Sequence, residues 1–446
     1  MTSSNLTPQK EWKLKVSSYA EAINRYVAAG LRDGWDAAGK QPQMLETEHL
    51  LEPWLVALTA INAQSAGEAE RAAFREEWPM AHTPLLPLLE KHGQSIATVA
   101  LLDDGSILAR VGAAYEEGHV VQIVGDTVRT IDGIGFFGRC PARRYFAMAE
   151  VDGIRITDGW QGKTVARCPW PTGREDLPAL PEGVAMPAFD IPPKPTRLIP
   201  FPDGQRVLLV GSSGIFVLAP EGARRLLPHK EALAEEWTDA SFDPEYFNLD
   251  LSMEHGAISP DGRWVAVGSQ DGRHLVYDAA LTLQAQVGPV GEYPHFALFN
   301  RRSDQLILNA CHFYNGATLG VRLEDVPGMD TDFYADDPRT PVLEEGSRVY
   351  AGVHRGDEFI VGDANGYLRA FGEDGQARWQ HFIGSTVDDM DVSADGKTLV
   401  ATTCAGFISV IELDAGRRAP GQIGTGEHLE RQRWLLWKDR EQPLLW

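Results

Sequence analysis

The sequence predicts a mainly β chain: a seven-bladed β-propeller preceded by an α-helical segment. Three observations carry this. The hydrophobic period changes from three-to-four to two near residue 95, glycine-closed hairpins recur seven times after that point, and the glycines of the clearest copies stand ten residues apart.

The helical part comes first. Trp12, Val16, Tyr19, Ile23 and Tyr26 fall at spacings of three and four and make one apolar stripe, which Gly34, Gly39 and Pro42 terminate. Leu51, Trp54, Leu55, Leu58 and Ile61 predict a second helix, Phe74 and Trp78 mark a short third, and Leu85 to Leu89 suggest a fourth. The predicted boundaries are 1–93 for this segment and 94–446 for the propeller.

From Ile96 onward, short β-rich runs alternate with Asp-Gly and similar turns. Ser259-Pro260-Asp261-Gly262 leads through a strand to Gly272, and Ser393-Ala394-Asp395-Gly396 leads in register to Gly406. Gly204 to Gly214 and Gly356 to Gly366 repeat the interval. Two antiparallel strands of about six residues need a tight reversal at each end, and glycine supplies the positive φ. Weaker copies run from Gly105 to Gly118, from Arg143 to Gly153 without a first glycine, and from Gln305 to Gly316 with one extra residue. Repeats then begin near residues 96, 136, 196, 255, 295, 348 and 385. A unit of three or four strands cannot bury both sheet faces alone, so copies stack around an axis. The closing hairpin, 431–446, carries Trp434, Trp437 and Trp446 and is expected to close the ring, the alternative being an ordinary last blade.

The Ser259-Pro260-Asp261-Gly262-Arg263 turn followed by Val265-Ala266-Val267-Gly268-Ser269 resembles the WD-repeat and quinoprotein-like β-propeller superfamily of bacterial type, over residues 96–446. The Trp-Asp dipeptides of WD repeats are absent from these blades. Gly366 to Phe371 with Asp374 to Trp379 is similar to a single tryptophan-docking repeat. In quinoprotein enzymes the resemblance implies a quinone and calcium in the central funnel, but one docking repeat does not carry that expectation, and no cofactor is expected.

Net charge is −22, of which residues 9–92 contribute −3, so the acidity belongs to the propeller. Phosphate binding needs a basic face, so nucleic acid is not expected; a basic protein partner is. No apolar run reaches membrane-spanning length, and no secretory pattern stands at the N-terminus, so a cytoplasmic protein without membrane contact is expected. Cys140, Cys168, Cys311 and Cys404 are too scattered for a disulfide framework or zinc site and read as small buried hydrophobes. The sequence leaves the oligomeric state open.

Catalytic constellations are weak. Gly211-Ser212-Ser213-Gly214 lacks the strand-to-helix context of a nucleophile elbow, and the histidines make no metal-spaced pair, so neither catalytic nor metal residues are assigned. Asp388, Asp389 and Asp391 read as a loop between blades, open to partner contact or, as paired carboxylates, to acid–base or metal chemistry.

Three connections exceed what blades require: 169–200, 228–254 and 322–347. The second holds seven carboxylates between Glu231 and Asp250 with no Lys or Arg. Glu235, Glu236, Asp239 and Asp243 there alternate with Trp237, Phe242 and Tyr246. The third sets Asp330, Asp332, Asp336 and Asp337 around Phe333 and Tyr334. Aromatic rings among acids supply buried area and steer a basic partner, so these residues with Asp388 and Asp389 form the predicted binding set. The expected function is non-catalytic protein interaction, in a narrower version the neutralisation of a basic effector or toxin by an immunity-type protein. The alternative is an enzyme or small-ligand binder using the central channel, lactonase-like or quinoprotein-like.

Overall fold

A computed structural model describes residues 6–44, 46–64, 66–184, 188–243, 245, 248–313, 315–440 and 442–446. Seven sheets, antiparallel throughout their first four strands, follow one another in the chain, each starting at its innermost strand and ending at its rim. Their inner strands are Ile96–Leu101, Phe136–Arg139, Arg197–Pro200, His255–Ile258, Tyr293–Phe299, Val349–Arg355 and Val387–Val392. These starts lie within two residues of those predicted. The chain is a seven-bladed β-propeller, and blades are numbered below in chain order.

The turn between the first and second strand of each blade shows why glycine recurs. Gly105, Gly204, Gly262, Gly356 and Gly396 all have φ between 62° and 84° there. Blade 2 places Arg143 at this position with φ 66°, and blade 5 places Ser303 with φ 58°. A side chain in left-handed backbone costs about 1–2 kcal/mol, so Arg143 needs a compensating contact, described below.

Two blades carry a fifth strand. Leu444–Leu445 pairs outside Leu429–Leu435 on the rim of blade 7. The long connection of blade 5 climbs the rim of blade 4, where Met329–Asp330 runs parallel to Leu283–Val287, before returning as the outer strand Val342–Glu345 of its own blade.

The expectation that hairpin 431–446 closes the ring is corrected by this topology: it completes blade 7, and blade 1 takes all four of its strands from 96–131. The ring closes through side chains. Blade 1's inner strand is a sheet edge, so alternate N–H groups face the axis unpaired. Blade 7 supplies their acceptors: Ile96 N donates to Asp388 Oδ2 at 2.9 Å, Val99 N and Thr98 Oγ1 donate to Asp389 Oδ2 at 2.8 and 2.9 Å, and Leu101 N donates to Asp391 Oδ2 at 2.6 Å. Thr402 Oγ1 donates to Ile96 O at 2.8 Å.

Blade 2 grips the same seam from the other side. Arg139 donates to Leu101 O at 2.9 Å and to Asp391, while Arg143 donates to Leu101 O at 2.8 Å and Asp391 Oδ1 at 3.1 Å. These contacts compensate the backbone conformation of Arg143.

The helical segment is not separate from the ring. Thr7 caps the first helix, Pro8–Asp33, with Pro8 opening it, and Trp12, Val16, Ala20, Ile23 and Val27 are buried along one face. Leu51–Ala63, Glu68–Glu77 and Leu86–His92 follow as predicted. Trp12, Trp54 and Trp78 share a core with Phe407, Leu435, Trp437 and Trp446 of blade 7. Trp54 and Trp446 rings lie 4.8 Å apart, and Trp446 Nε1 donates to Trp78 O at 2.8 Å. A buried tryptophan is worth several kcal/mol, so this cluster fixes the helices to the last blade.

Candidate partner-binding face and central channel

One face of the ring collects the blade-to-blade connections and the turns between second and third strands. Both acidic insertions rise on it. In the first, helix Lys230–Thr238 lies down on buried Leu233 and Trp237, the latter 7% exposed. Trp237 is therefore a correction: it anchors the helix from below and is not offered to a partner. Its neighbours Glu235 and Glu236 point to solvent and, with Asp239, Phe242 and Asp243, line one concavity. Asp239 Oδ1 accepts from the Ser241 hydroxyl at 2.5 Å and from Ser241 N at 2.7 Å and fixes the turn after the helix, and these hydrogen bonds hold its carboxyl low. Tyr246 lies outside the described residues.

The second insertion reaches the same face at the top of its climb along blade 4. Gly288 N donates to Thr331 O at 3.1 Å and Tyr334 N to Pro289 O at 3.0 Å, which presents Phe333 at 44% and Tyr334 at 60% exposure. Tyr334 holds φ 58°. Residues that sequence reasoning passed over join them. Phe313, 70% exposed, packs edge-on against His312, which stacks on Tyr293 and pairs with Glu292. Glu292, then burial, then Asp271 and Tyr334 push the Tyr293 hydroxyl upward, which places these groups in one neighbourhood. Asp330 and Asp332 share one cation, Arg273. Asp336 is exposed, and Asp337 is held at about 2 by Arg339. The signal that could have found Phe313 is its place in the turn of blade 5's lengthened hairpin, Gln305–His312 with Asn315–Arg322.

Asp388 and Asp389 are corrected in place. They stand on the inner strand of blade 7, not in a loop, and the Oδ2 of each is taken by blade 1. Burial pushes both carboxyls up, opposed by hydrogen bonds from Cys404 and Ile96 at Asp388 and chiefly by Arg197 at Asp389. Cys404 donates to Asp388 Oδ1 at 3.0 Å, and desolvation with this carboxylate raises its thiol to about 12. The other three cysteines are buried as expected, while Cys404 lies in a turn and is exposed as a residue although its surroundings desolvate the thiol.

Arg197 spans the channel from blade 3. Its guanidinium donates to Tyr350 O of blade 6 at 3.0 Å and to Asp388 O at 3.3 Å, and stands 3.3 Å from Asp389 Oδ1. Beside it, His255 Nδ1 donates to Met253 O at 3.0 Å; burial disfavours the charged form of both His255 and His274, and with His255 neutral its Nε2 accepts from His274 Nδ1 at 3.0 Å. Burial holds His255 near 4 and, with Arg348, His295 near 3. Among the described residues no three His, Cys, Asp or Glu side chains are grouped to hold a metal ion. From Arg197 to the opposite mouth runs a cavity of about 260 Å³, walled by the inner strands.

No family model matches the sequence, and no curated protein is matched. Among solved structures, Hsv2 of Kluyvelomyces marxianus is similar over 77% of this chain and 99% of its own, at 11% identity and a TM-score of 0.42. The Cps50 (Swd1) β-propeller domain of Myceliophteria thermophila is similar over 75% of this chain and 97% of its own, at 11% identity and a TM-score of 0.45. Among the described residues no helix is long and apolar enough to cross a membrane.

Proposed function

We infer that this propeller is a non-catalytic interaction protein that holds a basic protein partner on the face bearing its two acidic insertions. The observation that carries the reading is the exposed aromatic set Phe313, Phe333 and Tyr334, standing among Asp271, Glu292, Asp330 and Asp332 at the junction of blades 4 and 5. Scattered exposed hydrophobics are ordinary; exposed rings beside several carboxylates, with Tyr334 fixed by its backbone hydrogen bond to Pro289 O, support recognition. The carboxylates raise the encounter rate with a cationic surface, and the rings supply the area that water leaves on contact.

The concavity of Glu235, Glu236, Asp239 and Asp243 adds a second acidic contact area on that face. Neutralisation of a basic effector in the manner of an immunity protein, cytoplasmic residence and kinship with bacterial quinoprotein-like propellers are narrower versions of this reading that rest on charge and the sequence resemblance alone.

The test compares capture by the wild-type chain with capture by two variants. One carries Glu235, Glu236, Asp239 and Asp243 changed to Lys, and the other carries Phe333→Ala with Tyr334→Ala. A basic protein retained by the wild type, released by moderate salt and lost with both variants supports the reading. A partner retained equally by all three refutes it.

A further inference from the structure

We propose that the mouth of the central channel on the face opposite the acidic insertions is a binding site for a small organic carboxylate with an apolar body. Three features converge there: a cavity, an apolar wall and a cation with no carboxylate of its own.

The turns between first and second strands that surround this mouth are rich in arginine. Arg144 pairs with Asp158, Arg206 with Asp203, Arg263 with Asp261, Arg302 with Asp304 and Glu373, and Arg355 with Glu358 and Asp414. Arg301 is the exception: among the described residues it makes no ion pair, and its one side-chain hydrogen bond is a long one, 3.5 Å, to Ala394 O. It nevertheless lines the cavity beside Arg143. Arg139 and Arg143 share Asp391, and Arg143 also stands 3.5 Å from the exposed Asp103; the cavity lining itself sets Arg139, Arg143, Arg197 and Arg301 against Asp389 and Asp391, an excess of positive charge in a chain of net charge −22. Burial, and after it Arg143, depress the Arg301 guanidinium, with Asp391 opposing them. Arg143 Nε is buried without a hydrogen-bond partner among the described residues.

Arg301 is also held ready. Its backbone N–H donates to His354 Nδ1 at 3.2 Å, and His354 Nε2 engages Glu373 at 2.9 Å. Asn300 beside it accepts from Asp304 N and Gln305 N at 3.0 and 3.1 Å. The charge is thus presented on an ordered turn, which lowers the entropy lost on binding.

Behind the rim the wall is apolar, with Phe296, Leu298, Ile199, Ile258 and Val353, and the inner strands bring alternate backbone N–H groups to the axis as further donors. Arg197 and Asp389 close the far end. A volume of about 260 Å³ exceeds the roughly 150 Å³ that admits benzene and stays below that of drug-sized pockets, so one ring or branched chain with its carboxylate fits.

The test uses benzoate, with neutral benzamide as its isostere, titrated into the full chain and followed by calorimetry. Benzoate is expected to saturate one site, benzamide to bind at least tenfold more weakly, and Arg301→Gln to weaken benzoate at least tenfold. Arg301 makes no ion pair among the described residues, so this variant is expected to keep the fold; an unchanged unfolding midpoint verifies that. Arg144→Gln, an exposed arginine of blade 2 paired with Asp158, is expected to bind benzoate as the wild type does. Absence of saturable benzoate binding overturns the proposal, as does equal affinity for benzamide or an equal effect of Arg301→Gln and Arg144→Gln. Partner capture on the opposite face is unaffected by Arg301→Gln, which keeps the two readings separate.

Discussion

Replacing Asp391 by alanine tests the side-chain seam. The carboxylate accepts from Leu101 N at 2.6 Å, from Arg139 and, at 3.1 Å, from Arg143, and the three side chains involved are only 9%, 12% and 18% exposed. Removal leaves two largely buried guanidinium groups without this carboxylate, though each keeps its bond to Leu101 O, and one edge N–H without its acceptor. Breaking a buried pair costs about 3–5 kcal/mol, and little screening applies at this exposure. Distributed over the unfolding entropy of a chain this long, about 2 cal/mol/K per residue, the loss lowers the midpoint by about 3–5 °C. Hydrogen exchange locates the effect. At about 1.4 kcal/mol per factor of ten, amides of Ile96–Leu101 exchange between roughly one hundred and a few thousand times faster, while His255–Ile258 across the ring changes less. Unchanged exchange at Ile96–Leu101, or equal acceleration in every blade, refutes the assignment of this seam as the ring closure.

Three further outcomes follow from the same geometry. Arg143→Gly relieves backbone strain of about 1–2 kcal/mol at φ 66° yet loses its bonds to Leu101 O and Asp391, so the variant is expected to be destabilised by about 1–4 kcal/mol in denaturant titration, where a stabilised variant would contradict the clamp. Burial would raise Glu430, but Arg433 and His381 hold it at about 2. Its folded value lies below its unfolded one, so its contribution of about 3 kcal/mol is full above about pH 4.5 and lost as pH falls toward 2; Glu430→Gln is expected to flatten that part of the stability–pH curve. Trp446→Ala removes a ring that is 1% exposed and packed on Trp54, costing about 3–5 kcal/mol, and is expected to make residues 8–92 the first target of limited proteolysis.

The blade starts were legible because each blade must reverse its chain twice, and the turn after the inner strand demands positive φ at one position. Arg143 hid its blade's copy, since the structure stabilises that conformation by contacts more than 200 residues away in sequence, which no local pattern records. The acids at 388–391 misled for a related reason. Composition reads Asp-Asp-Met-Asp as a surface loop, yet aligning the Ser393 to Gly396 turn with Ser259 to Gly262 places Asp389 opposite His255, inside the inner strand. The repeat held the answer that residue type obscured. The same alignment sets Arg197 at that channel-facing position in blade 3. Trp237 and Phe313 show the limit of loop reading: both lie in acid-rich or turn contexts, and only packing decides that one is buried and the other 70% exposed.

The most direct test of the functional reading is a hydrogen-exchange footprint of the complex formed with the captured basic partner. Protection is expected over residues 230–243, at 312–313 and at 331–335, with none on the arginine-bearing turns of the opposite face or on helix Pro8–Asp33. Protection confined to those turns or to the helices, with the acidic insertions exchanging as in the free chain, would contradict it.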